Sequence, residues 1–344
     1  MTITTFQHRR QMLKQSALGF GHVAFSAMAA NAVASESIAN PLAARQPHGT
    51  PRARRVIFLF MKGGPSHLDT FDFKPRLQRD DGKDLPFDKP RVQFAQTGKL
   101  LGSPWRFQRH GQCGIQISEL FPTVARHADD ICFLHSVHGT NAAHGGALLK
   151  LHTGSDNFVR PSMGSWITFG LGTENERLPG FITICPTLAH GGVKNWSSAF
   201  LPGHFQGTPL GNASRPATDA KMKYAYNESV SRTHQRVQLD FLHQLNLDHQ
   251  SVAGEHDLLD TRMKSFELAF RMQEEAPLVE DISGESAATM QLYGLDDEVT
   301  ADFGRQCLLA RRFAERGVRF IQVTHSDAHV QWDQHSDLKK GHSK

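Results

Sequence analysis

The sequence predicts an α/β fold with a largely parallel sheet flanked by helices, and two observations lead to this prediction. Short apolar runs rich in β-branched and aromatic residues, which are typical of buried strands, occur at residues 54–61, 131–137, 180–185 and 318–325. The segments between them carry apolar residues at three- and four-residue spacing, as amphipathic helices do. Strands that alternate with helices favour a parallel sheet, because a helix is the usual crossover between parallel strands.

The segments between the apolar runs predict four helical regions and one irregular region. Residues 72–117 are rich in Pro, Gly and charge, and we expect them to be irregular. Helices are predicted over 117–130 with Ser118 as N-cap, over the segment that ends at Gly154, across 230–276, and over 299–317 with Gly317 as C-cap.

Residues 1–34 have the organisation of an export signal. A basic start with Arg9, Arg10 and Lys14 precedes an apolar stretch rich in Ala and Gly, and the final "AVA" fits a small-x-small cleavage site. The paired arginines are similar to those of a twin-arginine signal. The alternative is an uncleaved membrane anchor, but a Gly-containing and moderately apolar stretch is a poor stable span.

The signal sets the expected organisation and location of the chain. We expect a linker over 35–53, a single domain over 54–344, and export through the twin-arginine machinery to the periplasm or the cell exterior. No other segment of the sequence is long and apolar enough to cross a membrane.

The charge balance gives no reason to expect nucleic-acid binding. The chain has 38 basic and 34 acidic residues, and removal of the three basic residues of the signal leaves 35 against 34. A near-neutral domain lacks the positive field that binds a phosphate backbone. The four cysteines show no C-x-x-C pair, which excludes a zinc ribbon or a thioredoxin motif.

Ligands of α/β sheets bind at the carboxyl ends of the strands, so the residues that follow each apolar run are the candidate site. Ser66, His67, Asp69 and Asp72 follow the first run, and we take Asp69 and Asp72 as candidate metal carboxylates. The alternative is ordinary turn chemistry, in which Ser and Asp side chains bond the local backbone.

Thr140, Asn141 and His144 follow the second run, just before a predicted helix. A helix N-terminus presents backbone N–H groups and favours an anion. A phosphate or sulfate oxygen is therefore expected there, with Asn141 as an anion-binding residue and a nucleophile beside it. The alternative is simple helix capping by Thr140 or Asn141.

A cluster of histidines and aspartates follows the last run. Imidazoles mixed with carboxylates suit zinc, manganese or iron more than calcium, so we expect a divalent metal with Asp333 and His335 as ligands. The alternative is a solvated tail that happens to carry histidines. The full cluster consists of His325, Asp327, His329, Asp333, His335, Asp337 and His342.

Several stretches resemble a large family of exported bacterial proteins known only as a domain of unknown function. They are RRQMLKQSALGFG, VIFLFMKGGPSHLDTFDFKP, RPSMGSWITFGLG, SFELAFRMQEEAP, SGESAATMQLYGLDD and FGRQCLLARRFAERGVRFIQV. That family is placed in the alkaline phosphatase-like, or sulfatase-like, superfamily. The resemblance covers nearly the whole chain and implies the superfamily fold.

The superfamily relation implies roles for the candidate residues. Its members hold one or two metal ions at the strand ends, and a residue at a helix start attacks phosphorus or sulfur. The stretch HGGALLKLHTG resembles that helix, and the attacking position falls on His144 or on Thr140, depending on the alignment. If it is His144, the residue is expected to be a metal ligand instead.

The relation also implies what this sequence lacks. Members often carry a further strand with a second Asp-His pair beyond the stretch that resembles Asp333–His335, so we expect a C-terminally truncated chain with little hydrolase activity of its own. Conventional sulfatases also need a Cys- or Ser-x-Pro-x-Arg stretch to form formylglycine. None occurs, so we do not expect a formylglycine cofactor.

Two functional hypotheses follow from these residues. The first is a metal-dependent hydrolase of phosphate or sulfate esters on a small molecule or a polymer, acting outside the cytoplasm. The second is a non-catalytic exported protein that binds a ligand or a surface and has a degenerate site. It is favoured by Lys62-Gly63-Gly64, which stand where superfamily members usually place a metal-binding Asp.

Overall fold

The computed structural model describes residues 42–89, 96–223, 225, 227, 229–254, 257–325 and 332–343. The predicted export signal, part of the predicted linker, and the candidate residues Asp327 and His329 lie outside the described residues.

The described residues form six strands and ten α-helices. The strands are β1 (Val56–Met61), β2 (Phe107–His110), β3 (Ile115–Ser118), β4 (Phe181–Ile184), β5 (Thr208–Leu210) and β6 (Phe320–His325). The helices are α1 (His67–Thr70), α2 (Pro75–Arg79), α3 (Pro122–Ala125), α4 (His144–Thr153), α5 (Met163–Leu171), α6 (Arg232–Ala253), α7 (Asp257–Glu280), α8 (Ala287–Leu292), α9 (Ala301–Glu315) and α10 (Leu338–His342).

A four-stranded parallel sheet organises the domain, in the order β1-β6-β4-β5. The register aligns Met61 at the end of β1 with His325 at the end of β6. It also aligns Ile184, the last residue of β4, with Val323. Because all four strands run the same way, their carboxyl ends share one edge of the sheet. The predicted parallel α/β sheet is confirmed.

Helices cover both faces of the two central strands. On one face, Phe181 and Phe320 pack edge-to-face, and Gly164 of α5 comes so close to them that a Cβ would lie 2.7 Å from either ring. On the other face, Ile182 and Ile321 belong to the largest hydrophobic cluster, which α7 and α9 complete. Burial on both faces explains why these strands read as continuous apolar runs.

The predicted helix ends are formed as expected at two glycines. Gly154 ends α4 with a φ of +79°, and its N–H donates to the Lys150 carbonyl. Gly317 follows α9 with a φ of +89°. Glycine adopts this left-handed conformation without the steric cost of a Cβ.

The helical prediction for 230–276 is confirmed as two long helices, α6 and α7. Ser231 caps α6, and its side chain accepts from the His234 N–H. The two helices are joined by a bidentate ion pair between Arg236 and Glu267, with distances of 2.9 and 2.7 Å. No residue of α6 is buried. No helix in the described part of the chain is both long and apolar enough to cross a membrane.

The strand predicted at 131–137 is wrong. This segment has no regular structure, and Leu134 and Val137 are 71% and 74% exposed. Phe133 instead packs with Phe71 and Phe121 against a small cluster around Ile117. An apolar run forms a strand only when a sheet edge offers it backbone partners, and the sequence pattern alone does not show whether such an edge is available.

The predictions for 72–117 and 117–130 are also corrected. The expected irregular region contains α2 and the antiparallel hairpin β2–β3, and the hairpin ends at Ser118, the expected helix cap. The helix begins only at Pro122, because proline lacks an N–H and is accommodated in the first turn of a helix rather than its interior.

The burial of α9 in the core leads to a prediction about the stability of the fold. Phe313 is fully buried in the largest cluster, so Phe313→Ala should lower the free energy of unfolding by about 3–5 kcal/mol. Val252 on α6 is 90% exposed, and Val252→Ala should change it by no more than about 0.5 kcal/mol. Denaturant unfolding followed by circular dichroism measures both. Equal effects would contradict the placement of α9 at the centre of the core.

Candidate metal centre

The carboxyl edge of the sheet brings together residues that are far apart in sequence. Lys62 follows β1, Thr187 and His190 follow β4, and Asp333 lies a few residues beyond the end of β6. His144, the first residue of α4, reaches the same edge.

Asp333 is the centre of the cluster. Its Oδ2 accepts hydrogen bonds from His144 Nε2 at 2.7 Å and from His335 Nε2 at 2.6 Å. Partial burial by itself would raise the pKa of the Asp333 carboxyl, but the hydrogen bonds and charges of the two imidazoles outweigh it and lower the pKa. The carboxylate is therefore held in its ionised form, which is the form that binds a metal.

A close backbone contact fixes the position of Asp333. The Trp332 N–H donates to the Lys62 carbonyl at 3.4 Å, and Trp332 Nε1 donates to His325 Nδ1 at 2.8 Å. Gly63 lies against this segment, and a Cβ there would be 2.7 Å from the Asp333 nitrogen. The end of β1 thus supports the residue that holds both histidines.

His190 extends the cluster. Its ring centroid lies 5.2 Å from that of His144. Burial lowers the pKa of His190, the positive charges of Lys62 and His144 lower it further, and Asp333 opposes them. His190 has a φ of +53°, an uncommon conformation for a residue with a Cβ, and Asn195 Nδ2 donates to its carbonyl.

Lys62 is fully buried directly after β1. Its Nζ donates to Thr187 Oγ1 at 3.2 Å, and the Ala189 N–H donates to the same oxygen. The hydroxyl of Thr187 therefore links the end of β1 to the turn that carries His190.

The structure places the candidate carboxylates Asp69 and Asp72 in other contacts. Asp69 is buried in the first turn after β1, where its Oδ2 accepts from Ser66 Oγ at 2.6 Å. Asp72 pairs with Lys74 at 2.8 Å. Neither belongs to the group formed by His144, Asp333 and His335.

Thr140 and Asn141, in the loop before α4, make different hydrogen bonds. Thr140 is exposed, and its Oγ1 accepts from Lys150 Nζ at 2.7 Å. Asn141 supports the loop itself, because its Oδ1 accepts from the Ala143 N–H and its Nδ2 donates to Asp156 at 3.4 Å.

A cavity of about 660 Å³ lies behind Trp332, between α8, α9 and α10. Its walls are mostly apolar, and they include Tyr293, Phe303, His325 and Trp332. Its volume is in the range of small-molecule sites. Trp332 lines the cavity and is followed in the chain by Asp333, but none of the three grouped residues is among the residues that line it.

The donor set fits a divalent transition metal. Two ligand atoms about 2.0–2.2 Å from the same ion lie at most about 4.4 Å apart. The three donor atoms of His144, Asp333 and His335 already lie within 4.8 Å of one another, so small side-chain shifts would bring them to one ion. Two imidazoles and one carboxylate resemble the three-ligand sets of catalytic zinc sites.

A comparison with known protein families identifies the family of this chain. Residues 53–344 match the family described as "Protein of unknown function (DUF1501)". The chain belongs to this family. No curated protein and no solved structure matches the DUF1501 chain.

Three further residues of this DUF1501 protein lie beside the cluster without having been predicted as part of the site: Lys62, Thr187 and His190. All three follow a predicted strand directly or within a few residues. That position was the available signal, but lysine and threonine are common in turns and carried no metal-ligand pattern.

The contact at Gly63 generates a prediction with a matched control. Gly63 and Gly64 both have positive φ, but a Cβ on Gly64 would meet nothing within 4 Å. Both Ala substitutions strain the backbone. Gly63→Ala should additionally push Trp332 and Asp333 away, and it should lower the free energy of unfolding by about 1–3 kcal/mol more than Gly64→Ala.

Chemical unfolding measures this difference, and tryptophan fluorescence of the native state reports the displacement of Trp332. The same loss of stability in both variants, with an unchanged native emission spectrum, would contradict the close contact.

Proposed function

We propose that this DUF1501 protein is a metal-dependent hydrolase of phosphate or sulfate esters with an alkaline phosphatase-like fold. One observation carries the proposal: His144, Asp333 and His335 converge at the carboxyl edge of a parallel sheet with metal-ligand spacing. This edge is where α/β enzymes place their chemistry.

A divalent ion bound there would supply a Lewis acid that stabilises negative charge on the transferred group. Asp333 would provide the one carboxylate ligand, and His144 and His335 would provide two imidazole ligands. Catalytic zinc sites commonly use three protein ligands and keep one position for water or substrate, and the three grouped residues match that number.

Thr140 is the residue we assign as nucleophile, and His144 is assigned as a ligand. The Thr140 hydroxyl is exposed in the loop that leads into α4. The Lys150 ammonium, which donates to it at 2.7 Å, favours the deprotonated hydroxyl because an adjacent positive charge stabilises an oxyanion. The cavity behind Trp332 offers room for the organic part of the ester.

A second candidate function is that of a non-catalytic exported binding protein. The observation that favours it is the placement of Asp69 and Asp72 outside the cluster, which leaves a single carboxylate among the three grouped residues. The hydrolase requires the metal ion, whereas the binding protein has a degenerate site and need not hold one.

The proposed location is the periplasm or the cell exterior, and it rests on the paired Arg9 and Arg10 of the leader. Replacement of both by Lys should block export through the twin-arginine machinery, which cell fractionation measures. Unchanged export would exclude that route.

Metal stoichiometry tests the proposal. The protein dialysed against zinc should hold about one ion per chain, measured by elemental analysis. Asp333→Ala should lose the ion, because the carboxylate joins both histidines. Any hydrolysis of an aryl phosphate or aryl sulfate by the native protein should require the ion. It should be lost when the ion is removed.

Asp337→Asn is the control for this experiment, because Asp337 follows the same strand but lies outside the group of three. It should keep the ion. Asp69→Asn and Asp72→Asn test the two remaining candidate carboxylates in the same assay. A protein that holds no ion refutes the proposed function. Metal binding without hydrolysis of either ester is the result expected of a truncated chain or of the binding protein, whereas ester hydrolysis that depends on the ion excludes the binding protein.

A further inference from the structure

The cavity behind Trp332 has the features of a ligand-binding site of its own. It measures about 660 Å³ and lies between α8, α9 and α10, a volume within the range of small-molecule sites. None of the described residues that line it belongs to the group of His144, Asp333 and His335. The chemistry of its ligand therefore follows from its own walls and does not depend on a metal ion.

Adjoining aromatic rings line the cavity. The rings of Phe303, His325, Trp332 and His342 follow one another, and the centroids of successive rings lie 4.5, 5.6 and 5.5 Å apart. Tyr293 adds a further ring. Aromatic rings pack favourably against the edge or the offset face of another ring. These walls therefore favour a flat aromatic ligand over a flexible aliphatic one.

The described walls of the cavity are uncharged. None of these residues is Asp, Glu, Lys or Arg. His325 accepts a hydrogen bond at Nδ1, so its ring is neutral, because a protonated imidazole has an N–H on both nitrogens. Burial lowers the pKa of His342, which Asp69 opposes only in part. A charged ligand would lose its hydration here without gaining an opposite charge, so the cavity favours an uncharged one.

His342 contributes one unpaired hydrogen-bond donor. The residue is 8% exposed, and its Nε2 accepts from the Ser66 N–H at 3.2 Å. The proton of the neutral ring is therefore on Nδ1. In the part of the chain that the structure describes, Nδ1 has no hydrogen-bond partner. A buried N–H without an acceptor costs free energy, and an acceptor atom on a ligand would remove that cost.

The unpaired nitrogen is within reach of a ligand. The His342 ring lines the cavity, and its Nδ1 is covered by neighbouring atoms. His342 is the last residue of α10, so a small turn of its ring would point the N–H into the cavity.

We propose that the cavity binds an uncharged aromatic molecule that carries a carbonyl group, with the carbonyl oxygen as the acceptor for His342 Nδ1. The aromatic part of the ligand packs against Phe303 and Trp332. A carbonyl fits better than a hydroxyl, because it accepts a hydrogen bond and brings no donor of its own that needs a partner.

A pair of fluorescent naphthalenes tests the proposal. Prodan is uncharged and carries one ketone, and its propyl analogue has nearly the same shape with a CH₂ group in place of the carbonyl. Fluorescence titration measures the affinity of each. We expect prodan to bind saturably at about one site per chain. Chelator-treated protein should bind it equally well, because none of the three grouped residues lines the cavity.

His342→Phe removes the donor and keeps an aromatic ring. The ratio of prodan affinity to analogue affinity should fall by at least about threefold, the effect of one hydrogen bond. Because both probes sense the same change of shape, the ratio isolates the carbonyl contact.

Nitrogen NMR of the native protein with labelled histidine provides a second readout that needs no folded variant. Prodan should shift the resonance of His342 Nδ1, and the propyl analogue should shift it much less.

Cys307→Phe tests where the probe binds. Cys307 lines the cavity, and a phenyl ring in its place would clash with the ligand, so prodan affinity should fall by at least about tenfold. Cys132→Phe is the matched control, because Cys132 is exposed and is not among the residues that line the cavity. It should leave the affinity within about twofold, as expected of a distant site.

The outcomes are distinct. Saturable binding that is weakened by Cys307→Phe, with a carbonyl preference that depends on His342, supports the proposal. A protein that does not bind prodan, or that binds it as tightly after Cys307→Phe, overturns it. An unchanged affinity ratio in His342→Phe together with an unmoved Nδ1 resonance overturns the carbonyl contact. A protein that binds prodan but holds no zinc refutes the proposed function and leaves this site standing.

Discussion

The close packing of two backbone segments at the carboxyl edge of the sheet is the constraint on which the site depends. Gly63, just after β1, lies against Trp332 and Asp333, where a Cβ would not fit. The parallel register of β1 and β6 brings both segments to the same edge. Asp333 is thereby fixed where His144 and His335 can both donate to one of its carboxylate oxygens. A loose turn at Gly63 would leave the two histidines without a common partner.

Polar and charged side chains from different strands lie close together at the same edge of the sheet. Lys62 is buried because it follows directly from a strand, and its amino group reaches across to Thr187 beyond β4. His190 adjoins this pair through the turn that Asn195 holds. Neighbouring strands of a parallel sheet end side by side, so their following residues share one small volume. The three grouped residues come to that volume from two segments, because His144 begins α4 while Asp333 and His335 follow β6.

The strands and helices that the sequence predicts correctly are those whose residue pattern is local. The β1, β4 and β6 runs are short, apolar and bounded by turn residues, and α4 and α9 end at glycines that adopt positive φ. The strand predicted at 131–137 failed because pairing is not local: an apolar run needs a neighbouring edge to satisfy its backbone groups. Phe133 packs in a small aromatic cluster instead. The helix predicted from Ser118 failed for a local reason, since Pro122 sets where the helix begins.

By itself, the sequence determined the parallel α/β class and three of the residues that gather at the sheet edge, His144, Asp333 and His335, because strand ends and metal-ligand residue types are visible in the chain. The tertiary structure alone decided which of the candidates meet. It separated Asp69 and Asp72 from the cluster and brought Lys62, Thr187 and His190 to it. The physical reason is that contacts between strand ends depend on the order of strands in the sheet. That order, β1-β6-β4-β5, joins segments more than a hundred residues apart, and no local pattern encodes it.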